Sequence, residues 1–299
     1  MKSGPVIYTP SRTRRPKDSN GNKKPGRCPF CPGQEDQTPP TLLSLPEGSD
    51  NWHVRVFSNL FPIIEAKSGS DTCGIHEVIV ETPRHEALFF ELSVKDISLV
   101  MRAIRSRFSF HSSNESLAAL IAFRNQGLRG GASLVHPHTQ LIGLSNVPPR
   151  LAAETKRFTE LAEKGSCPLC LSAGSPFIVA EEGSFRTFSP EAPRFPREVW
   201  IAPVHHEPSF INLTDVELDD LAALLKKTLA ALSRLFDPFD YNLIFHTEPV
   251  ADETGTFHTH IEIIPRPEPM AGFEIGTGVM VNPVPAHVAV SELRDILIS

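Results

Sequence analysis

Two histidines two positions apart, His136 and His138, with Gln140 two positions further on, form the part of the chain best suited to chemistry. On an extended strand the side-chain period is two, so all three would share one face. Just upstream, Gly127, Gly130, Gly131 and Ser133 can turn backbone N–H groups and a hydroxyl toward an anion. A neutral imidazole in such a place can attack a phosphorus centre and carry the transferred group covalently, splitting one displacement into two. Its other ring nitrogen must donate to a fixed acceptor so that the attacking nitrogen keeps its lone pair. The sequence does not identify that acceptor.

Five cysteines fall as Cys28/Cys31, Cys167/Cys170 and a single Cys73. Each Cys-x-x-Cys offers two thiolates from one turn, and zinc completes its tetrahedron with two further nitrogen or sulfur ligands from elsewhere in the fold. In the first half the candidates are His85 and His136. In the second they are His206 and His258, with His205 a rival to its neighbour. A thioredoxin-like redox role fits less well, because each pair lies in a proline-rich turn with no strand feeding it and no helix after it. With His136 on a metal, His138 is the imidazole left for chemistry.

The elements that must position these groups repeat. The patterning predicts strands over 53–57, 76–81, 117–123 and 136–144, with a helix over 94–110 that Ser93 can cap. After a bridging helix over 151–164 the pattern returns. Strands are expected over 177–180, 185–188, 198–203, 241–245 and 258–264, with a helix over 215–236 capped by Thr214. His85 to His136 spans 51 positions and His206 to His258 spans 52. This agreement in order and spacing points to a duplicated α+β unit, divided here as residues 1–150 and 151–299. The copies are not equivalent. Glu262 stands where Gln140 stands, and Asp252 and Glu253 replace the glycines and Arg129 of the preceding loop. Carboxylates there would repel a phosphate, so only the first copy is expected to be active.

Composition bounds the rest. The 299 residues are 40% hydrophobic and 21% charged, with a formal net charge of -6, which argues against a general binder of nucleic acid or of membrane surfaces. The N-terminal residues form no apolar leader, and no run approaches the roughly 18 apolar residues of a membrane span, so a cytoplasmic protein is expected. Arg12, Arg14 and Arg15, taken alone, read as a solvated tail.

The combination His136-Pro137-His138-x-Gln140, preceded by Asn125 and Ser133, with Cys28-x-x-Cys31 upstream and Arg12 and Arg15 near the N-terminus, resembles the galactose-1-phosphate uridylyltransferase family. This is the transferase branch of the histidine-triad superfamily, and the resemblance implies an α+β fold of two fused triad-like halves, each an antiparallel sheet with helices packed on it. It implies His138 as nucleophile, with Gln140 and Ser133 on the phosphate and Asn125 on the nucleotide. Arg12 and Arg15 match a phosphate-binding pair, which displaces the tail reading. Phe57, Asn59 and Phe61 resemble the segment that holds base and ribose.

The same resemblance implies zinc on Cys28, Cys31, His85 and His136, and a second zinc on Cys167, Cys170, His206 and His258, with His206 preferred to His205. It also implies a homodimer in which the segment Gly272-Phe273-Glu274 completes the sugar site of the other subunit. Three departures bear on the substrate. Thr139 stands where galactose enzymes usually have glycine, a glutamine expected beyond Glu274 is missing, and residues 275–283 look more like the ADP-glucose phosphorylase branch, as does the second Cys-x-x-Cys. The expected activity is UDP-glucose–hexose-1-phosphate uridylyltransfer in galactose metabolism, and the expected partners are a nucleotide sugar, UDP- or ADP-hexose, and a sugar 1-phosphate or phosphate. The alternatives are ADP-glucose phosphorylase, diadenosine polyphosphate phosphorylase and, outside the enzymes, a zinc-stabilised nucleotide-binding protein.

Overall fold

The structure is a computed structural model and describes residues 5–14, 28–49, 51–65, 73–171, 174–251 and 253–298; Arg15 and Asp252 lie outside the described residues. Short alternating stretches become ten strands. In the first half these are β1 (Thr41–Leu45), β2 (Val54–Ser58), β3 (Gly74–Val80), β4 (Ala119–Gln126) and β5 (His138–Leu144). In the second they are β6 (Ile178–Glu182), β7 (Phe185–Phe188), β8 (Val199–Pro203), β9 (Tyr241–His246) and β10 (His260–Pro265).

All ten join one antiparallel sheet in the order β1-β2-β3-β5-β4-β9-β10-β8-β7-β6. The order reads the same from either end once each strand is exchanged for its counterpart in the other half. The sequence suggested two half-sheets; β4 and β9 instead pair directly, Asn125 opposite Asn242. That pairing satisfies backbone groups that two separate sheets would each expose at an edge.

One face of the sheet is covered by helices. In α1 (Val94–Ser112) the apolar residues recur at helical spacing, and Ser93 caps the start by accepting from the Asp96 amide. A helix, α2 (Pro149–Ala162), joins the halves, and α3 (Asp215–Ser233) begins with a Thr214/Glu217 capping box. Ile97, Val100, Ile104 and Phe108 of α1 and Leu218, Leu221, Leu225 and Leu229 of α3 are fully buried in one core against the sheet. Two further helices, α4 (Gly272–Thr277) and α5 (Ala286–Ile298), were not evident in the sequence, nor was β1; α5 adds Val290 and Leu293 to that core.

Because side chains alternate along a strand, β3 sends Glu77 to the helical face and His76 to the other. Glu77 accepts from Arg107 at 2.8 and 2.6 Å and lies 2.8 Å from His111 Nε2, all three buried. Burial would raise the Glu77 pKa, but the His111 and Arg107 donors and their charges outweigh it and hold the carboxyl below its usual range. A depressed carboxylate stabilises the fold above its unfolded pKa of about 4.3, and that contribution is lost as pH falls through the folded value. Glu77→Gln strands Arg107 and should cost about 3 kcal/mol in denaturant unfolding at pH 7. The variant should also lose part of the acid-side fall in stability that the parent shows below about pH 4.3.

Candidate active site and metal clusters

His138 opens β5 and faces away from the helices. His136 does not lie on that strand as the spacing suggested; it sits in a bend just before it. Pro137 has no N–H for the ladder, so pairing with β3 starts at His138, opposite Val80, while the Pro137 carbonyl accepts from the Glu81 amide at 3.2 Å. The bend brings the His136 carbonyl to 2.8 Å from His138 Nδ1. A carbonyl only accepts, so Nδ1 carries the proton and the lone pair is on Nε2. This carbonyl is the acceptor that residue types could not name.

His138 lines a cleft of about 300 Å³ together with Phe30, Phe57, Asn59, Phe61, Ser133 and Gln140. The Ser133 hydroxyl is buried and has no hydrogen-bond partner among the described residues. Such a group in a cleft suits a ligand oxygen. Arg12 donates to the Phe61 carbonyl at 2.9 Å and so stands at the rim. Arg15 cannot be placed, since it lies outside the described residues. The Phe30 ring packs edge-on to His138, centroids 5.4 Å apart. Beneath the strand, on the helical face, Thr139 donates to Glu81 at 2.7 Å, and Glu81 is paired with the fully buried Arg124 at 3.0 Å.

Cys28, Cys31, His85 and His136 converge, as do Cys167, Cys170, His206 and His258, and each group could hold a metal ion. His136 Nδ1 is 3.8 and 3.7 Å from the Cys28 and Cys31 sulfurs, and His85 Nδ1 is 3.4 Å from Cys31. In the second group His258 Nδ1 is 3.3 and 3.6 Å from Cys167 and Cys170, and His206 Nδ1 is 3.7 Å from Cys170. It is His206 that turns to the thiols; His205 lies half-exposed, 3.4 Å from Glu217. His136 Nε2–H donates to the Thr82 carbonyl at 2.8 Å and His258 Nε2–H to the Pro203 carbonyl at 3.2 Å, which leaves Nδ1 of each as the ligand nitrogen. Burial, helped by neighbouring histidines, lowers the pKa of His136 to about 4 and of His258 to about 3, so both are neutral near pH 7.

The second copy shows why it differs. His260 makes the same bond, Nδ1–H to the His258 carbonyl at 2.9 Å, but its ring stacks on Trp200 and on His246, and its Nε2 lies 3.2 Å from Glu154. The ligand-type atoms of Glu154, His246 and His260 lie within 4.8 Å of one another. Burial disfavours charge on His246, yet Glu154 and Glu262 raise its pKa to about 9. Glu262 is bridged by Arg150 and Arg194. The space equivalent to the cleft is thus filled by paired charges.

Not every predicted residue reaches the cleft. Asn125 accepts from the Asn242 amide at 2.8 Å, at the seam between halves. The glycine loop is also a seam rather than an anion cradle. The Gly131 and Ala132 amides bond back to Leu128 and Gly127, both at 3.0 Å, and a Cβ on Gly130 would collide with the Gln126 and Tyr241 carbonyls. Gly127, at φ +71°, packs against Asp240, which also accepts from the Arg129 amide. Gly272, Phe273 and Glu274, expected in the other subunit's sugar site and not in this chain's own, start α4 and do not line this cleft; Phe273 is exposed. His76, which sequence reasoning passed over as an ordinary strand residue, is buried beside Gln140; only knowledge of the strand register could have found it.

A sequence profile for the galactose-1-phosphate uridyl transferase N-terminal domain matches residues 66–148. An ADP-glucose phosphorylase of Arabidopsis thaliana is 32% identical, across 97% of this chain and 90% of its own. The chain belongs to the galactose-1-phosphate uridylyltransferase family. A family member from Thermotoga maritima, a galactose-1-phosphate uridylyltransferase, is 28% identical across 97% of this chain and 94% of its own. The crystal structure of an Arabidopsis thaliana ADP-glucose phosphorylase with bound ADP-glucose superposes with a TM-score of 0.85 at 30% identity, covering 96% of this chain and 94% of that one. Family membership makes the protein a nucleotidyltransferase or phosphorylase of this class with the α+β fold of its relatives. Among the described residues no helix is long and apolar enough to cross a membrane.

Proposed function

We propose that the protein moves a nucleotidyl group from a nucleotide sugar through a covalent bond to His138. The observation that carries this is the His136 carbonyl holding His138 Nδ1–H, with the lone pair on the nitrogen of a ring that lines the cleft. His138 Nε2 attacks the α-phosphorus, the bond from that phosphorus to the bridging oxygen breaks, and a sugar 1-phosphate leaves. An acceptor oxygen, from phosphate or another sugar 1-phosphate, then attacks the same phosphorus and releases the histidine. Ser133, Gln140 and Arg12 supply hydrogen bonds and charge to the phosphoryl oxygens. Phe57, Asn59 and Phe61 hold base and ribose.

For the base, the 32% identity to an ADP-glucose phosphorylase favours adenylyl transfer to phosphate. Uridylyl transfer between hexose 1-phosphates is the second reading, favoured by the family profile and the Thermotoga maritima relative. Each cysteine–histidine cluster is assigned a zinc ion. A tetrahedral zinc with bonds of about 2.3 Å to sulfur and 2.0–2.1 Å to nitrogen sets those atoms about 3.6 Å apart, which the 3.3–3.8 Å spacings match. With four protein ligands each, the ions hold loops and take no part in the transfer. A homodimer in which α4 reaches the other subunit's cleft gives the exposed Phe273 and Ile275 a role.

The test is intact-mass measurement after separate incubation with ADP-glucose and UDP-glucose. An acid-labile adenylyl adduct that phosphate discharges is the expected result. A uridylyl adduct alone would move the assignment to the second reading, and no adduct from either, with metal loaded, would sink the covalent mechanism.

A further inference from the structure

The geometry points to His76 as a positioning residue that locks the side-chain amide of Gln140 with its NH2 group toward the phosphate, an assignment that rests on the transfer reading above. His76 Nδ1 accepts from the backbone N–H of Ile63 at 2.9 Å, so Nδ1 carries no proton and the neutral ring has its proton on Nε2. Nε2 is 3.1 Å from Gln140 Oε1 and 3.0 Å from Asn59 Nδ2. The Asn59 amide is itself oriented, because its Oδ1 accepts from the Phe61 N–H at 2.8 Å. Its Nδ2 is therefore a donor facing a donor, and the Nε2 proton goes to Gln140 Oε1.

The consequence lies at the other end of Gln140. A primary amide can rotate half a turn and present either oxygen or nitrogen to the cleft. Presenting oxygen would set the negative end of the amide dipole against a phosphoryl oxygen; presenting nitrogen stabilises that oxygen with a donor. With its oxygen held by His76, the amide keeps nitrogen outward before any ligand arrives, so no reorganisation is needed during the reaction.

The second half offers an internal comparison. Val78 pairs with Gln140 and Trp200 pairs with Glu262, so the residue two before each, His76 or Glu198, occupies the same place. There Arg194 bonds Glu198 at 2.7 Å and Glu262 at 3.0 Å. The position that orients residue 140 or 262 thus changed together with it. A neutral donor faces the amide in one half, and carboxylates share a guanidinium in the other.

The decisive variants are His76→Gln, which keeps a donor near the Nε2 position, and His76→Met, of similar size without one. His76→Met should slow adenylyl transfer from ADP-glucose about 10- to 100-fold with the KM little changed, whereas His76→Gln should recover most of that loss. In a Gln140→Ala background, His76→Met should change the rate less than about twofold, because the group it acts through is gone. Equal losses in the Gln and Met variants, or losses that multiply in the double variant, would overturn the assignment. Imidazole 15N spectra of the resting protein separate this from the transfer reading. An Nε2–H tautomer at His76 is expected, and an Nδ1–H tautomer overturns the lock even if the adduct forms. Absence of any adduct in the parent protein, with the Nε2–H tautomer present, would count against the transfer reading while the lock stands.

Discussion

Replacing His138 with alanine should abolish the nucleotidyl adduct and lower turnover at least about 10^4-fold, since loss of a nucleophile removes the route and not one stabilising contact. The substitution leaves His136 in place, with its Nε2–H still on the Thr82 carbonyl and its Nδ1 still toward the thiols. Metal content should therefore be unchanged. The hydrogen bond from His138 to the His136 carbonyl is lost at the start of β5, a change of about 1 kcal/mol in stability. Intact mass and steady-state rates, read beside a melting curve, check the result. An adduct surviving in His138→Ala would place the nucleophile elsewhere. By contrast, His260→Ala should leave the rate near the parental value, because His260 is packed between Trp200 and His246.

Removing metal should have the second large effect, and the two clusters should respond differently. Elemental analysis of the intact protein is expected to find close to two zinc ions per chain. Cys28, Cys31 and His136 are buried, while Cys170 and His206 are exposed and Cys167 is half-buried. A chelator should therefore strip the second cluster first, with adduct formation retained. Loss of the first ion should then abolish adduct formation. Phe30 and Pro29, held between Cys28 and Cys31, line the cleft, and His136 carries the carbonyl that sets the His138 tautomer. The melting temperature should fall in two steps, the second by more than about 10 °C, because the unfolded chain has no assembled site and the free energy of metal binding is therefore folding free energy. A single ion per chain, or activity that persists after both have gone, would contradict this.

Much of this protein was legible in its residues. The Cys-x-x-Cys turns, their distant histidines and the nearly equal spacing of the two halves outlined the duplicated α+β fold and both four-residue clusters, with the family resemblance choosing His206 over His205. Glu262 in place of Gln140 set the two copies apart. Those signals are local: a residue's donor type, its spacing and its charge survive in a linear string. The capped helices α1 and α3 were equally visible, from Ser93 and Thr214 and from apolar residues at helical period, Ile97 to Phe108 in one and leucines in the other. What escaped were β1 and α4, which bury no residue and so leave no apolar pattern, and α5, although its Ala286, Ala289, Val290 and Leu293 recur at helical spacing.

Tertiary structure alone decided three matters at the site. The acceptor for His138 is a backbone carbonyl, and a carbonyl leaves no mark in residue identity. The glycine loop looked like an anion cradle, but its amides close its own turns and its flank meets Asp240 across the seam, a contact of residues more than a hundred positions apart. His76 meets Gln140 only because β3 and β5 pair in one register, and a shift of one residue would turn His76 to the opposite face. The sequence by itself determined which groups this protein has for chemistry; the pairing of distant strands decided which atoms of those groups point at one another, because hydrogen-bond direction is set by register and backbone, not by composition.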